Sequence, residues 1–301
     1  MSSLLDLVGN TPLVEISKMF NKPNVKVYGK LEGNNPGGSV KDRAAYNMIK
    51  SAIDRGELKK GIKLVEATSG NTGIALAMIA AQFKIDITLI MPESATIERV
   101  KTMKAYGADV ILTPAEKTIE YSREYAQYLV SQGGYLNLNQ FANADNWGAH
   151  YKTTGPEIWR DTNQKITHFV SSMGTTGTIM GTSRFLKEQN SAIQIVGVQP
   201  TDGSRIPGIR RWSPEFLPKI YEPHRVDKII DVSRDSAMQM MRRLATEQGI
   251  FAGMSSGGAV LATSKLVETL DEGVVVCIIC DRGDRYLSSG IFENEQVRLN
   301  N

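Results

Sequence analysis

The sequence predicts an α/β protein whose strands form mostly parallel sheets, arranged in two halves. Three observations carry that expectation. Short runs rich in valine, isoleucine and leucine alternate along the chain with stretches of helical periodicity, the pattern of strand–helix–strand units. The chain has 301 residues, 41% of them hydrophobic and 22% charged, enough for two modest domains or one large one. Residues 133–150, GGYLNLNQFANADNWGAH, are loop-rich and separate two alternating halves.

In chain order the first half reads VKVYGKLE, IKLVEAT, DITLIMP and ADVILT as strands. Between and after them VKDRAAYNMIKSAIDRG, GIALAMIAAQF, SATIERVKTMKAYGA and EKTIEYSREYAQYLVSQGG have helical spacing. The second half repeats the scheme with THFVSS, IQIVGVQP, KIIDVS and GVVVCIICD as strands. GTIMGTSRFLKEQN and SRDSAMQMMRRLATEQG are its helices. No internal repeat or low-complexity segment interrupts the pattern.

Composition excludes several function classes. A net charge of +3 without a basic run gives no footprint for nucleic acid. No apolar run approaches the roughly 20 residues that cross a bilayer, and MSSLLDLVGNTPLVEI has neither a basic start nor a long apolar stretch. Two cysteines suit a reducing compartment, so a cytoplasmic location without membrane attachment is expected. The histidines at 150, 168 and 224 are scattered, and no metal site is expected.

In sheets of this kind ligands bind beyond the carboxyl ends of strands, and four such loops stand out. NNPGGSVKDR, residues 34–43, delivers Lys41 into the first turn of a helix. There the spacing of Val40, Ala44, Met48 and Ala52 puts it at the edge of the buried face. EATSGNTGIA at 66–75 and SSMGTTGTIMG at 171–181 each run from a strand through small hydroxyl residues into a helix. AGMSSGGAV at 252–260 is read as the fourth loop. Glycines and threonines let backbone N–H groups converge on an anion at a helix start, so GTTGT makes a phosphate cradle. It lacks the Gly-Lys-Ser/Thr of a nucleotide P-loop and the glycine spacing of a dinucleotide fingerprint. Each loop alone is equally well a capped tight turn.

Three tempting motifs carry little. GMSSG at 253–257 has the spacing of a hydrolase elbow, but every histidine precedes Ser255, the wrong order for that fold. CIIC at 277–280 lies in a strand, where residues three apart face opposite ways. RGD at 282–284 is coincidence in a cytoplasmic chain. What survives is a phosphate loop, a lysine near a buried face and hydroxyl-lined loops. A cofactor with a phosphate and an aldehyde, such as pyridoxal phosphate, uses all three. A lysine merely reaching to solvent stays open on these grounds.

KLEGNNPGGSVKDRAA at 30–45 resembles the lysine signature of the fold-type II pyridoxal-phosphate enzymes, the tryptophan synthase β-like group. GNTPLV at 9–14, TSGNTG at 68–73 and GTTGT at 174–178 resemble it too, in the order that family uses. The resemblance spans essentially the whole chain and is closest to the cysteine synthases, or O-acetylserine sulfhydrylases. It implies two open twisted, mostly parallel sheets flanked by helices. A smaller mobile domain would cover 35–145, and a larger one 1–34 with 146–301. Lys41 matches the lysine that holds pyridoxal phosphate, and Asn71 the partner of its ring hydroxyl. Gly174, Thr175, Thr176, Gly177 and Thr178 match the phosphate loop, and Ser255 the partner of the pyridine nitrogen. Thr68, Ser69, Gly70, Thr72 and Gln140 match the grip on the substrate carboxylate.

The implied reaction is β-replacement on O-acetyl-L-serine, through a bound α-aminoacrylate that a sulfur nucleophile captures. The smaller domain would close over it to keep water out. PGIRRW at 207–212 and CDRGDRY at 280–286 resemble the B-type enzymes. Arg210, Arg211, Trp212 and Cys280 are therefore expected to shape a donor pocket for sulfide or thiosulfate. A homodimer is implied, and docking of serine acetyltransferase, a habit of the A type, is not expected. A dehydratase running β-elimination on the same fold, or an idle binding protein that keeps the lysine for no chemistry, are the alternatives.

Overall fold

A computed structural model of the chain describes residues 3–68 and 70–292. The first sheet has six strands in the order β1 (Leu13–Glu15), β2 (Val25–Leu31), β10 (Gly273–Ile279), β7 (His168–Ser172), β8 (Gln194–Pro200) and β9 (Lys228–Val232). Only β1 runs antiparallel to its neighbour. The second sheet has four parallel strands in the order β5 (Asp109–Thr113), β4 (Ile87–Pro92), β3 (Lys63–Ala67) and β6 (Tyr135–Leu136).

Both sheets are covered on both faces, which is why their strands read as continuous apolar runs. In β10, Val275, Cys277 and Ile279 enter one core, while Val276, Ile278 and the following Cys280 enter the other. On the first face lie α8 (Arg234–Gln248) and α9 (Met254–Val267); on the second lie α6 (Thr154–Asp161) and α7 (Gly177–Gln189). The four-stranded sheet packs α1 (Lys41–Asp54), α2 (Asn71–Phe83) and α3 (Ile97–Ala105) on one face and α4 (Thr118–Ser131) on the other. The helix α5 (Ala144–Lys152) packs between α1 and α7.

Two local expectations change. The loop foreseen at 133–150 contains β6 and most of α5, which Asn143 starts by accepting the Asp145 amide at 2.9 Å. The fourth loop is largely helix: α9 begins at Met254, so Ser255 to Val260 lie within it. Its small residues serve close packing. A Cβ on Gly257 would stand 2.1 Å from the Ala237 carbonyl of α8, so the two helices touch backbone to backbone. Among the described residues no helix is long and apolar enough to cross a membrane.

Candidate active site

The lysine loop leaves β2 and turns back along the end of β10. Ser39 pairs with Asp281 in an isolated bridge, and the Val40 amide donates to the Cys280 carbonyl at 2.8 Å. That pins the first residue of α1, Lys41, beside the carboxyl end of the large sheet. Lys41 is partly buried, and no hydrogen bond or ion pair to its Nζ is found among the described residues. Desolvation pulls its pKa below the ordinary lysine value, against the opposing pull of Cys280, Asp281, Glu32 and Asp42. The other lysine nearby is handled differently. Lys30, fully buried, donates to the Thr11 carbonyl at 2.6 Å and pairs with Glu157 at 2.8 Å.

The loop after β3 carries Thr68, Gly70, Asn71 and Thr72; Ser69 lies outside the described residues. Asn71, the first residue of α2, is held at both ends of its amide. Its Nδ2 donates to Asp281 Oδ2 at 2.6 Å, and its Oδ1 accepts from Arg285 Nη1 at 2.7 Å. Thr72 donates its hydroxyl to Gln140 Oε1 at 2.8 Å, which fixes the Gln140 amide with Nε2 as a donor. Asn146 on α5 then bonds both the Gln140 carbonyl, at 2.7 Å, and Thr175 Oγ1, at 3.2 Å. The loop after β3 and the loop at 174–178 are thus joined through two side-chain amides.

The loop at 174–178, the expected phosphate loop, follows β7. Thr176 sits in the left-handed region, with φ 71°, although it is β-branched, and its Oγ1 is buried with no partner. A strained backbone that exposes an unspent hydroxyl at the start of α7 fits an anion. Thr178 meets His150 Nε2 at 3.3 Å, and burial together with the Arg43 charge lowers the His150 pKa to about 3, so that imidazole stays neutral. A Cβ on Gly177 would fall 2.0 Å from Asn146 Oδ1, so only glycine fits there. Ser255 is buried, its carbonyl accepting the Ser172 hydroxyl at 2.8 Å and its Cβ lying 3.1 Å from where a Gly208 Cβ would stand.

The donor residues are only partly brought together. Arg210 and Trp212 border a cleft of about 180 Å³ with Arg123, Phe141 and Phe216. Trp212 ties that cleft to the phosphate loop by donating to the Gly174 carbonyl at 2.8 Å. Arg211 also borders it, but its guanidinium is held by Asp231 and Asp202. Cys280 is elsewhere: it is buried among the Val40, Phe169 and Ile278 core, its amide bonded to Ser256, and burial with the Asp281 charge pushes its thiol up to about 12. Both cysteines are free, and no metal-ligand cluster occurs among the described residues.

Sequence reasoning overlooked Asp281, Arg285 and Tyr286 as partners of the site, though it quoted the segment that contains them. Tyr286 donates to Asp281 Oδ2 at 2.5 Å, so one carboxylate oxygen serves both Tyr286 and Asn71. It also overlooked Arg43. That side chain holds Glu32 at 2.7 Å and Glu157 at 2.6 Å beneath α1.

A desolvated lysine with no partner among the described residues, an anion-ready helix start and a neutral hydroxyl, each at the carboxyl end of a strand, are the features that a pyridoxal-phosphate site would use. Residues 4–281 match the family model of pyridoxal-phosphate dependent enzymes, and the chain belongs to that family. Pyridoxal phosphate is its cofactor, and the residues present fit it. Within the family the chain is 57% identical to Cysteine synthase B of Pseudomonas aeruginosa over 97% of each chain. It is 54% identical to Cysteine synthase B of Escherichia coli over 98% of this chain and 97% of that one. The crystal structure of a cysteine synthase from Entamoeba histolytica matches with a TM-score of 0.93 at 36% identity, covering 98% of this chain and 91% of that one.

Proposed function

We propose that the protein makes L-cysteine from O-acetyl-L-serine and sulfide, or S-sulfocysteine when thiosulfate is the donor, by β-replacement. The observation that carries this is Lys41 Nζ, desolvated and with no ionic partner among the described residues where the strand-end loops meet, in a chain so close to two B-type cysteine synthases. Bound pyridoxal phosphate supplies the electron sink that makes the α-proton acidic and lets acetate leave. Lys41 holds the cofactor and, once displaced by substrate, accepts the α-proton at Nζ; its lowered pKa favours the neutral amine that this needs. Asn71 would bond the ring hydroxyl and Ser255 the ring nitrogen. A neutral hydroxyl there leaves the ring a shallower sink than a carboxylate would, which suits prompt loss of a β-substituent. Gly174 to Thr178 hold the phosphate.

Thr68, Ser69, Gly70, Thr72 and Gln140 grip the substrate carboxylate. Gln140 contributes the Nε2 end that its bond to Thr72 leaves free. The 35–145 domain closes over that carboxylate and excludes water. Arg210 and Arg123 draw an anionic donor into the cleft beside Trp212, Arg211 contributes less because Asp231 and Asp202 hold it, and Cys280 acts only by filling space behind Lys41. The working unit is a cytoplasmic homodimer with no serine acetyltransferase bound.

A visible spectrum of the purified enzyme tests the reading. The yellow band of the lysine-bound cofactor shifts when O-acetylserine is added alone, then returns when sulfide or thiosulfate is added, with cysteine or S-sulfocysteine released. Absence of any band refutes the role of Lys41. A band untouched by O-acetylserine points to another amino acid, and keto acid released without a thiol points to β-elimination.

A further inference from the structure

CDRGDRY, the segment leaving β10, contributes more than its cysteine. Arg285 reaches back across the site and donates to two loops at once: Nη1 to Asn71 Oδ1 at 2.7 Å, and Nη2 to the Gly37 carbonyl. Its own carbonyl accepts the Thr96 hydroxyl at 3.3 Å. Gly37 lies in the lysine loop, four residues before Lys41. The glycine pair there is shaped around this contact. Gly38 has φ 81°, and a Cβ on it would stand 2.6 Å from Arg285 Nη2. A Cβ on Gly37 would meet the Asp42 carboxylate at 2.7 Å, and the Gly37 amide donates to that same carboxylate at 2.5 Å.

We propose that Arg285 is a positioning residue that couples the lysine loop to the Asn71 loop and, together with Asp281, fixes which end of the Asn71 amide faces the cofactor. The guanidinium can only donate, so Asn71 must turn Oδ1 toward it. Nδ2 is then the outward end. One of its hydrogens goes to Asp281 Oδ2 at 2.6 Å, and the other remains to donate to the ring hydroxyl. Without Arg285 only the Asp281 contact holds the amide, and its Oδ1 end is unanchored. A planar fork serves two acceptors at a fixed separation, whereas a lysine ammonium at this position reaches only one of them. The inference rests on the reading that Asn71 bonds the cofactor.

The test titrates pyridoxal phosphate back into the stripped full-length chain, following the visible band, and measures urea unfolding of the same stripped proteins. Arg285→Ala is expected to weaken cofactor binding about tenfold or more, the cost of losing one charge-assisted bond. Arg285→Lys is expected to lose most of that affinity while its unfolding midpoint stays at the wild-type value. Asn71→Ala is expected to show a loss similar to Arg285→Ala, and the double variant Asn71→Ala with Arg285→Ala no more than either alone, because the two act as one unit. Multiplying losses in the double variant overturn the coupling. So does an Arg285→Lys protein that binds like wild type, or one whose loss only tracks lowered stability. If Asn71→Ala binds the cofactor normally, the Asn71 reading fails and the coupling falls with it. If only the Arg285 variants are neutral, Asn71 keeps its role and the coupling alone is refuted.

Discussion

His150 gives the sharpest pH prediction. It is 1% exposed, its Nδ1 lies 2.8 Å from Thr154 Oγ1 and its Nε2 contacts Thr178 in the phosphate loop. Burial, reinforced by the Arg43 charge, lowers its pKa from 6.5 to about 3. The folded state therefore holds the imidazole neutral where the unfolded chain protonates it. A base with a depressed folded pKa contributes stability that is complete above about 6.5 and is lost as pH falls toward 3. At pH 5 the interval is about 1.5 units, and at about 1.36 kcal/mol per unit the loss is about 2 kcal/mol. Urea unfolding of the cofactor-free protein at pH 7.5 and pH 5.0, for wild type and His150→Gln, measures it. The variant, which has no proton to gain, should lose about 2 kcal/mol less than wild type between the two pH values. Equal losses in both proteins would refute the claim that His150 is held neutral by burial.

Glu157, an acid, should lose its contribution in the same direction but at lower pH. Burial raises its pKa, but Arg43 and Lys30 overcome that and hold it at about 2, so its contribution is present above about 4.5 and lost below. Removing it by Glu157→Gln leaves two buried cations short of a partner and should cost about 3–5 kcal/mol at pH 7 in urea unfolding; a loss under about 1 kcal/mol would sink the network argument. Gly181→Ala would place a Cβ 2.0 Å from the Trp147 carbonyl, a backbone atom of α5, and should cost about 1–3 kcal/mol in the same assay. Thr176→Gly should leave the cofactor-free unfolding midpoint no lower, since it relieves the left-handed threonine, yet weaken pyridoxal phosphate binding measured by titration. A fall in the midpoint with unchanged binding would show that the strain serves nothing.

Much of this site is written locally, and that part was legible. A helix-start lysine after two glycines, or Gly-Thr-Thr-Gly-Thr between a strand and a helix, needs particular residue types at particular backbone positions, and those leave a mark in a few adjacent letters. The strand order does not, since β10 lies between β2 and β7 by closure of the whole chain. The amide partners are equally invisible. Asn71 meets Asp281 across 210 residues and Arg285 across 214, and no local pattern announces such a pair. Helix α9 was misread because serine and glycine signal a turn by propensity. Tight packing on α8 overrides propensity, and small residues are what that packing requires. Arg211 shows the converse limit. Two adjacent arginines look alike in sequence, but Asp231 and Asp202 claim one of them and leave Arg210 to the cleft.

The contrast that matters most for chemistry lies between Lys30 and Lys41. Both lie in the motif that the sequence singles out, both are near Glu32, and both are taken from water. Lys30 recovers its lost hydration through the Thr11 carbonyl, Glu157 and Asp161. That surrounding makes the residue a structural tie between β2 and α6. Lys41 recovers nothing comparable: its amine is desolvated, and nearby carboxylates act on it only through space. Burial without a partner favours the neutral amine, and a neutral amine is the form that can attack an aldehyde and take a proton from carbon. On the proposed reading, the reactivity of Lys41 follows from a withheld counter-ion. Placing a further carboxylate in the same loop, as by Ser39→Asp two residues before Lys41, should favour the charged amine through space. Reaction of the stripped protein with pyridoxal phosphate, followed across pH by the visible band, should then shift its midpoint upward. An unmoved midpoint would mean that something other than desolvation sets the amine's reactivity.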